Sequence, residues 1–297
     1  MDLSAPGVWF YPDGLSSQET AEFAQRIESL GYSALWLPEA GGRDPFVLAS
    51  WVLAHTQRLV VATGIANIYA RDAMAMRAAH YALAEQSGGR FLLGVGVSHA
   101  PLVEDLRGHV YGKPVASMRG YLERMAAAPY GAPLIEPAPP VLLAALGPRM
   151  LELARDCADG AHPYLVTPEH TAGARAILGS ERLLCTEQKV LLESDPVRAR
   201  SIARNAPALS FGLTLPNYRR NLERLGFDDA DFADGFSDRL IDAVVAWGDA
   251  SAVAERVQAH YDAGATHVCL HPLHPENQSV PEWKVLEALA PGTKGSA

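Results

Sequence analysis

The chain has 297 residues and a formal net charge of −9; 48% of its residues are hydrophobic and 20% are charged. That length suits one large domain, and the hydrophobic fraction is enough for a large core and argues against a disordered chain. An acidic chain whose lysines and arginines form no cluster binds nucleic acid and anionic membranes poorly. We therefore expect neither partner.

The cysteine pattern and the N-terminal residues indicate the cellular compartment of the protein. Cys157, Cys185 and Cys269 are far apart and form no CxxC motif, so we expect neither a disulfide framework nor a structural metal site. The first residues lack a basic segment followed by an apolar run. No apolar stretch approaches the roughly 18 residues of a membrane span. These features predict a cytoplasmic protein without a membrane segment.

One junction recurs along the chain: helical periodicity ends, glycine follows, and a short apolar run begins. Gly31, Gly88, Gly160 and Gly264 stand at such junctions. A glycine just past a helix adopts the left-handed cap conformation cheaply, and the chain then turns back as a strand. Eight strands are predicted in chain order: Val8 to Phe10, Ala34 to Leu37, Leu59 to Thr63, Phe91 to Val95, Val141 to Ala144, Gly160 to Tyr164, Lys189 to Leu192 and His267 to Leu270.

Strands that alternate with helices of about 10 to 15 residues indicate a parallel sheet, and eight of them fit a closed (β/α)8 TIM barrel. An open doubly wound sheet is the alternative. We predict one barrel domain over residues 1–291 and a disordered tail at residues 292–297. Several helical patterns at about residues 195–265 predict a lid-forming helical insertion between strands 7 and 8.

Three glycine-bearing loops follow predicted strands and should meet at the carboxyl end of the barrel, where such folds place ligands. They are Gly64 to Tyr69, Gly94 to His99 and Ala144 to Met150. In the third loop, free amides at a helix start, with Gly147 just before it and Arg149 close by, are suited to a phosphate. Each pattern alone is also typical of an ordinary turn, and the second lacks the GxGxxG of a Rossmann fold.

Two side chains are candidates for acid–base chemistry. Glu39 follows the second strand, where it is either a polar site residue or a solvated loop acid. His99 could donate a proton or anchor a ring carbonyl. Tyr164 could line a planar ligand. His271 and His274 follow the last strand without a nearby carboxylate ligand, so we predict no metal site there.

Six segments in order resemble the luciferase-like monooxygenase superfamily, in particular its branch that depends on the deazaflavin coenzyme F420. They are TGIANIYARD (Thr63 to Asp72), GRFLLGVGVSHAPLVE (Gly89 to Glu104), GHVYGKP (Gly108 to Pro114), LAALGPRMLELA (Leu143 to Ala154), DGAHPYLVTPEHT (Asp159 to Thr171) and WGDASAVAERV (Trp247 to Val257). Each segment alone is weak evidence for the resemblance, but the order and spacing of the six segments make it specific. It implies a (β/α)8 barrel, a homodimer and a cofactor at the barrel mouth.

The resemblance also implies site residues. It places Gly64 and Ile65 at a non-prolyl cis peptide bond against the central ring of the cofactor, and Asn67 at the polar edge of that ring. Ser98 and His99 would flank the ring or the phosphate. The implied cofactor-binding residues are Gly64, Ile65, Ala66, Asn67, Gly96, Ser98, Ala145, Leu146, Gly147, Arg149 and Met150, and the implied catalytic residues are Glu39 and His99.

The chain departs from the superfamily after the second strand, where many members carry Asp-His and this sequence has Glu39 and Ala40. Proton transfer then falls to Glu39, His99 or the substrate itself. The resemblance implies an oxidoreductase that moves a hydride between F420 and a small organic substrate, which the sequence does not identify. The alternatives are an FMN-dependent monooxygenase and a cofactor-binding barrel without turnover.

Coenzyme F420 carries an acidic oligoglutamate tail, so the resemblance also favours basic side chains at the pocket mouth. Arg43, Arg71, Arg107 and Lys113 are the candidates. Scattered cations of this kind are equally typical of an ordinary protein surface.

Overall fold

The structure is a computed structural model that describes residues 1–293. Its strands are β1 (Gly7–Trp9), β2 (Ala34–Leu37), β3 (Val60–Thr63), β4 (Ala66–Asn67), β5 (Phe91–Gly96), β6 (Val141–Leu143), β7 (Gly160–Ala161), β8 (Leu183–Leu192), β9 (Val245–Gly248) and β10 (His267–Pro272). Its α-helices are α1 (Ser17–Ser29), α2 (Pro45–His55), α3 (Ala73–Gln86), α4 (Ala100–Glu104), α5 (Pro114–Ala127), α6 (Pro148–Cys157), α7 (Pro168–Leu178), α8 (Pro196–Asn205), α9 (Pro207–Thr214), α10 (Pro216–Arg224), α11 (Asp229–Phe232), α12 (Asp238–Val244), α13 (Ala250–Asp262) and α14 (Trp283–Ala288).

Eight strands close a parallel barrel in the order β1, β2, β3, β5, β6, β7, β8 and β10. The closure is visible in the register, because Cys269 of β10 lies opposite Gly7 of β1 on one side and Glu187 of β8 on the other. Gly7 in turn lies opposite Ala34 of β2. The predicted (β/α)8 barrel is therefore confirmed, and the open doubly wound sheet is wrong.

The glycine junctions work in two ways. Gly31, Gly88 and Gly264 have φ values of 91°, 64° and 99°, the left-handed conformation expected just past a helix. Gly160 serves a close approach instead, since a Cβ on it would lie 2.0 Å from the carbonyl oxygen of Leu183. Glycine is thus required there for the contact between β7 and β8.

Two predicted strands differ from the observed ones by three residues or more at one end. β8 begins at Leu183, well before the predicted start at Lys189. The sequence pattern missed its first half because buried polar residues such as Glu187 interrupt the apolar run by which a strand is recognised. β7 ends at Ala161, not at Tyr164. The reason is that Pro163 has no amide hydrogen with which to continue the ladder.

The chain between β8 and β10 holds helices α8 to α12, strand β9 and helix α13. β9 was not predicted; it extends the sheet beside the end of β8, with Val245 opposite Lys189. The helices have their own buried apolar cluster, which includes Leu209 and Ile241 and packs against Leu146 and Tyr164 of the barrel. The predicted helical insertion thus covers part of the carboxyl end of the barrel.

Among residues 1–293, no helix is both long and apolar enough to cross a membrane. A 3-10 turn spans Pro291–Thr293. The rest of the predicted disordered tail, residues 294–297, lies outside the described residues.

Candidate active site

The three predicted glycine-bearing loops lie side by side at the carboxyl end of the barrel. Ala66 pairs with Val95 and Asn67 pairs with Gly96, which joins the first loop to the second. The amide of Ala144 donates a hydrogen bond of 2.8 Å to the carbonyl of Val95, which joins the second loop to the third. The loops therefore form one continuous wall of the barrel mouth.

Gly64 and Ile65 are half-buried in this wall, and the peptide bond between them is cis. The indole Nε1 of Trp9 donates a hydrogen bond of 3.0 Å to the carbonyl of Gly64. A Cβ on Gly64 would lie 2.8 Å from that nitrogen and 3.1 Å from Nε2 of His162. A Cβ on Gly96 would lie 2.5 Å from Cδ1 of Ile65. Both glycines are thus needed for the local packing of the wall.

Glu39 is held in place by several hydrogen bonds. Its Oε2 accepts the amide of Asn67 at 2.7 Å, and its two oxygens accept the guanidinium of Arg71 at 2.7 and 2.8 Å. Nη2 of Arg107 lies 3.9 Å from Oε1, and the Glu39 side chain is 6% exposed. The carboxylate therefore anchors the first loop through Asn67.

Ser98 and His99 lie at the rim, beneath the insertion. Ser98 has a φ of 55°, and its carbonyl accepts a hydrogen bond of 3.2 Å from the hydroxyl of Tyr111. His99 precedes α4, and its ring centre is 5.6 Å from that of Tyr218 on α10. Burial lowers the pKa of His99, and a hydrogen bond with Asn217 partly offsets that shift. The imidazole is thus placed between the barrel and the insertion.

The third loop offers backbone groups more than side chains. Ala145 and Met150 point into the main core, and Leu146 packs against the insertion. Arg149 is exposed. Any contact of Ala145 or Met150 with a ligand would therefore be made by the backbone.

Gly147 precedes α6 and has no side chain to obstruct a ligand. The amide of Met150 already donates to the carbonyl of Gly147 at 3.0 Å, and Pro148 has no amide hydrogen. Among the described residues, this leaves the amides of Gly147 and Arg149 as the donors at the start of the helix. A helix N-terminus with free amides attracts anions.

Arg224 of α10 lies beside Gly147, a contact that sequence analysis missed. A Cβ on Gly147 would lie 3.7 Å from Nη2 of Arg224, and the same Nη2 donates to Oδ1 of Asn221 at 3.1 Å. The buried side chains of Asn221 and His170 interact with each other, and Nδ2 of Asn221 and Nε2 of His170 have no other hydrogen-bond partner within residues 1–293. Burial and the charge of Arg224 lower the pKa of His170 to about 4. The cluster combines a cation with free amides, the groups that bind an anion.

A buried charge network occupies the inner part of the mouth. Oε1 of Glu187 lies 2.9 Å from both Nζ of Lys189 and Nδ1 of His271, and Oε2 accepts the amide of Leu165 at 3.0 Å. Nζ of Lys189 also lies 3.8 Å from the ring centre of Tyr164. Burial alone would raise the pKa of Glu187, but Lys189 and His271 lower it to about 2. Glu187 is therefore a carboxylate at neutral pH.

Sequence analysis singled out His271 and Tyr164 but missed Glu187 and Lys189. The available signal was their spacing, because residues two apart on a strand point to the same face. The pairing of Glu187 with His271 joins residues far apart in sequence and depends on the closure of the barrel between β8 and β10.

Aromatic rings connect this network to the wall. The ring centre of Trp9 is 4.3 Å from that of His271 and 5.3 Å from that of Tyr164. Tyr164 is 6.0 Å from Tyr218 of the insertion. The mouth therefore offers a planar, mostly apolar surface beside one fixed carboxylate–histidine pair.

Comparisons with known proteins identify the family and the fold. The family model described as luciferase-like monooxygenase matches residues 2–181. A protein of Mycobacterium tuberculosis, provisionally named a coenzyme F420-dependent oxidoreductase, is 25% identical over 84% of this chain and 89% of its own length.

Two solved structures show the same fold. An F420-dependent secondary alcohol dehydrogenase in complex with an F420-acetone adduct has a TM-score of 0.72 and 13% identity, covering 96% of this chain and 97% of its own. The oxygenating constituent of 3,6-diketocamphane monooxygenase of Pseudomonas putida, in complex with FMN, has a TM-score of 0.68 and 15% identity, covering 97% of both chains. The fold is thus shared by F420-dependent and FMN-binding proteins.

Proposed function

Because the chain belongs to the luciferase-like monooxygenase family, we propose that it is an oxidoreductase that transfers a hydride between coenzyme F420 and a small organic substrate. The observation that carries the proposal is the anion cradle at the mouth, where Gly147 lies against Arg224. The F420-dependent name of a relative that spans 84% of the chain supports the choice of cofactor.

The residues of the wall fit a flat cofactor with a phosphate. Gly64, Ile65, Ala66, Asn67, Gly96 and Ser98 would hold the ring, and the segment from Ala145 to Met150 would hold the phosphate. The amides of Gly147 and Arg149 at the start of α6, with the guanidinium of Arg224 beside them, support this fit, because such donors attract an anion. The bound deazaflavin would supply the hydride chemistry, while the barrel supplies position and electrostatics.

Glu39 and His99 remain part of the proposed site, but we assign Glu39 a positioning role. Since Glu39 already accepts three hydrogen bonds, from Asn67 and Arg71, its main contribution is to orient the loop that carries Asn67. His99 faces α10 at the rim, where it would contact a substrate entering between barrel and insertion.

The cations proposed to meet the acidic tail of F420 differ in availability. The guanidinium of Arg43 donates to the carbonyls of Pro12 and Leu15, and that of Arg71 is bound to Glu39. Lys113 is exposed at the start of α5. The guanidinium of Arg107 donates to the carbonyl of Ala40 at 3.1 Å. Of the four cations, Lys113 is therefore the better candidate for a tail contact.

FMN is the second candidate cofactor, and the FMN complex of a protein with the same fold favours it. A phosphate cradle of free amides and one arginine would accept either cofactor. A barrel that binds F420 without turnover is the third candidate. The reaction that the protein catalyses therefore depends on which of the two cofactors binds at Gly147 and Arg224.

We also propose a homodimer, through an apolar patch on two adjacent helices. Val47 and Trp51 of α2 and Met74 of α3 are exposed by 73%, 39% and 56%. Val47 and Trp51 lie one turn apart on the same face of α2, α2 contacts α3, and exposed apolar side chains grouped in this way mark an interaction site. Sedimentation should give a dimer for the wild type and a monomer for V47E; a wild-type monomer contradicts this proposal.

Cofactor binding tests the proposed function. Purified protein, freed of bound ligand, is titrated separately with F420 and FMN, and binding is followed by quenching of cofactor fluorescence. We expect saturable binding of F420 and weak or absent retention of FMN. The opposite preference contradicts the F420 assignment and favours the FMN-dependent alternative.

A further inference from the structure

We propose that His271 accepts the hydroxyl proton of a neutral alcohol substrate while that substrate gives its hydride to the cofactor, with Glu187 as the positioning residue. This inference rests on the proposed function, because it assigns the proton that accompanies the hydride. A proton acceptor is needed because oxidation of an alcohol to a carbonyl releases the hydroxyl proton as well as the hydride.

The carboxylate of Glu187 determines which nitrogen of His271 is free. Its Oε1 lies 2.9 Å from Nδ1 of His271, and its Oε2 is fixed by the amide of Leu165 at 3.0 Å. Glu187 therefore holds the hydrogen on Nδ1 and leaves Nε2 as the basic nitrogen. A buried carboxylate in this position also stabilises the imidazolium that forms when Nε2 takes up a proton.

The groups packed around His271 keep it neutral at rest. They are Glu187 and Lys189 of β8, Tyr164 after β7 and Trp9 of β1. Burial lowers the pKa of His271, Glu187 partly offsets that effect, and Lys189 lowers the pKa further. A neutral imidazole can accept a proton, so the resting protein can take up the proton that is released when the substrate is oxidised.

The surroundings also indicate the class of substrate. The nearby cation, Lys189, is fully buried and already paired with Glu187, so it offers no free charge to an anionic substrate. Rings of Trp9 and Tyr164 form the adjoining surface. A neutral alcohol with an apolar body fits this combination.

The reaction balances with oxidised F420 as the acceptor. The C–H bond of the alcohol carbon breaks, and hydrogen leaves with both electrons to the deazaflavin. The O–H bond breaks, its proton passes to Nε2 of His271, and the C–O bond becomes a carbonyl. The alcohol is oxidised, the deazaflavin is reduced, and the imidazolium later returns its proton to water.

The test compares the wild type with H271N, each loaded with F420 and given isopropanol or benzyl alcohol. Loss of the visible absorbance of F420 gives kcat. We expect H271N to bind F420 normally but to lose about 100-fold or more in kcat, the range for a positioned acid–base group. In the wild type, kcat should rise with pH through one ionisation below about pH 6.5, and H271N should lack that limb.

The matched control is H274N. His274 also lies near a carboxylate, with its Nε2 3.6 Å from Oε2 of Glu282, but in the loop after β10. The kcat and the pH profile of H274N should equal those of the wild type.

A second variant keeps the base and changes its surroundings. E187Q/K189M removes both buried charges together, so that neither is left unpaired. Glu187 raises the pKa of His271 and Lys189 lowers it, and the hydrogen bond with Glu187 is the larger effect of the two partners, so the kcat limb should move to lower pH. A residue with only a structural role would leave the limb where it is. If H271N fails to fold, this variant carries the test.

The outcomes separate the two proposals. Retention of kcat and of the pH limb by H271N, or loss of the limb in H99N instead, would overturn the assignment of His271. A wild-type protein that binds F420 but oxidises neither alcohol would overturn the substrate class. A wild-type protein that does not bind F420 contradicts the proposed function, and the inference fails with it.

Discussion

Glu39 and Arg71 form a two-bond ion pair at the edge of the barrel mouth, with Nη2–Oε1 and Nη1–Oε2 distances of 2.7 and 2.8 Å. The same carboxylate accepts the amide of Asn67 at 2.7 Å. The pair therefore connects the end of β2 to the loop after β3. An acidic residue that sequence analysis treats as a proton donor is in this way part of the framework of the site.

E39A should destabilise the protein by about 3 kcal/mol, because it leaves the guanidinium of Arg71 without its main partner in a largely buried position. Urea unfolding measures the loss. E287A is the control, since the pair of Arg26 with Glu287 is half-exposed and should contribute at most about 1 kcal/mol. Equal losses for the two variants would contradict the importance of Glu39.

G147D should fold and lose cofactor binding. The backbone of Gly147 has a φ of −83°, which any residue can adopt. A Cβ at this position would lie 3.7 Å from Nη2 of Arg224, an ordinary contact distance, and would have no other heavy atom within 4 Å. The new carboxylate would repel a phosphate, so we expect at least about a tenfold rise in Kd, or about 1.4 kcal/mol. G147A adds only the Cβ and should bind F420 nearly as well as the wild type. Equal affinity of G147D and the wild type would place the phosphate elsewhere.

R224Q should weaken F420 binding by about tenfold, since a hydrogen bond to a charged group contributes about 1.5–3 kcal/mol. The loss should shrink at high salt, which screens exposed charges. R155Q is the matched control, because Arg155 lies in the last turn of α6, at the end of that helix opposite to Gly147, and pairs with Asp156. A similar effect of both variants would point to overall charge and not to a contact.

G64A should both destabilise the protein and disturb the mouth. The added Cβ would lie 2.8 Å from Nε1 of Trp9, and overpacking of this kind costs about 1–3 kcal/mol. G173A is the control: Gly173 is exposed in α7 with nothing within 4 Å of a Cβ, so alanine should stabilise by about 0.5–1 kcal/mol. Thermal unfolding compares the two, and a neutral G64A contradicts the tight packing at this position.

Stability should fall steeply on mild acidification. Burial lowers the pKa of several histidines, to about 3 for His80 and to about 4 for His162, His170, His260 and His267. In the unfolded chain a histidine titrates at about 6.5, so below that pH the unfolded state binds more protons. The stability these groups contribute is complete above about pH 6.5 and is lost as the pH falls towards about 4.

Urea unfolding at a series of pH values measures this effect. H80L removes one of these groups and should flatten the dependence. Glu187, whose pKa is lowered to about 2, acts in a lower range: its contribution is lost only below about pH 4.5, the ordinary pKa of a glutamate. Unchanged stability between about pH 7 and about pH 5 contradicts the buried neutral histidines.

The barrel was predictable because its signals are local. Gly31 and Gly264 mark ends of helices through their own backbone conformation, and each apolar run after them is a strand. β9 was missed because its four residues, Val245–Gly248, lie among helices that the sequence presents as one insertion. β8 was shortened because its first half carries polar side chains such as Thr186 inside the barrel.

The site was predictable only in part, for a similar reason. The wall from Gly64 to Asn67 follows one strand and can be located in the sequence. The contact of Arg224 with Gly147, and that of Glu187 with His271, each join residues from distant parts of the chain. Such contacts depend on how the insertion folds and how the barrel closes, which no local pattern encodes.

A crystal structure of the protein with F420 tests the central claim most directly. We expect the deazaflavin ring against Gly64 and Ile65 and its phosphate at the amide of Gly147, within hydrogen-bond distance of Arg224. Electron density for the cofactor at any other position, or none in crystals soaked with an excess of F420, would contradict it.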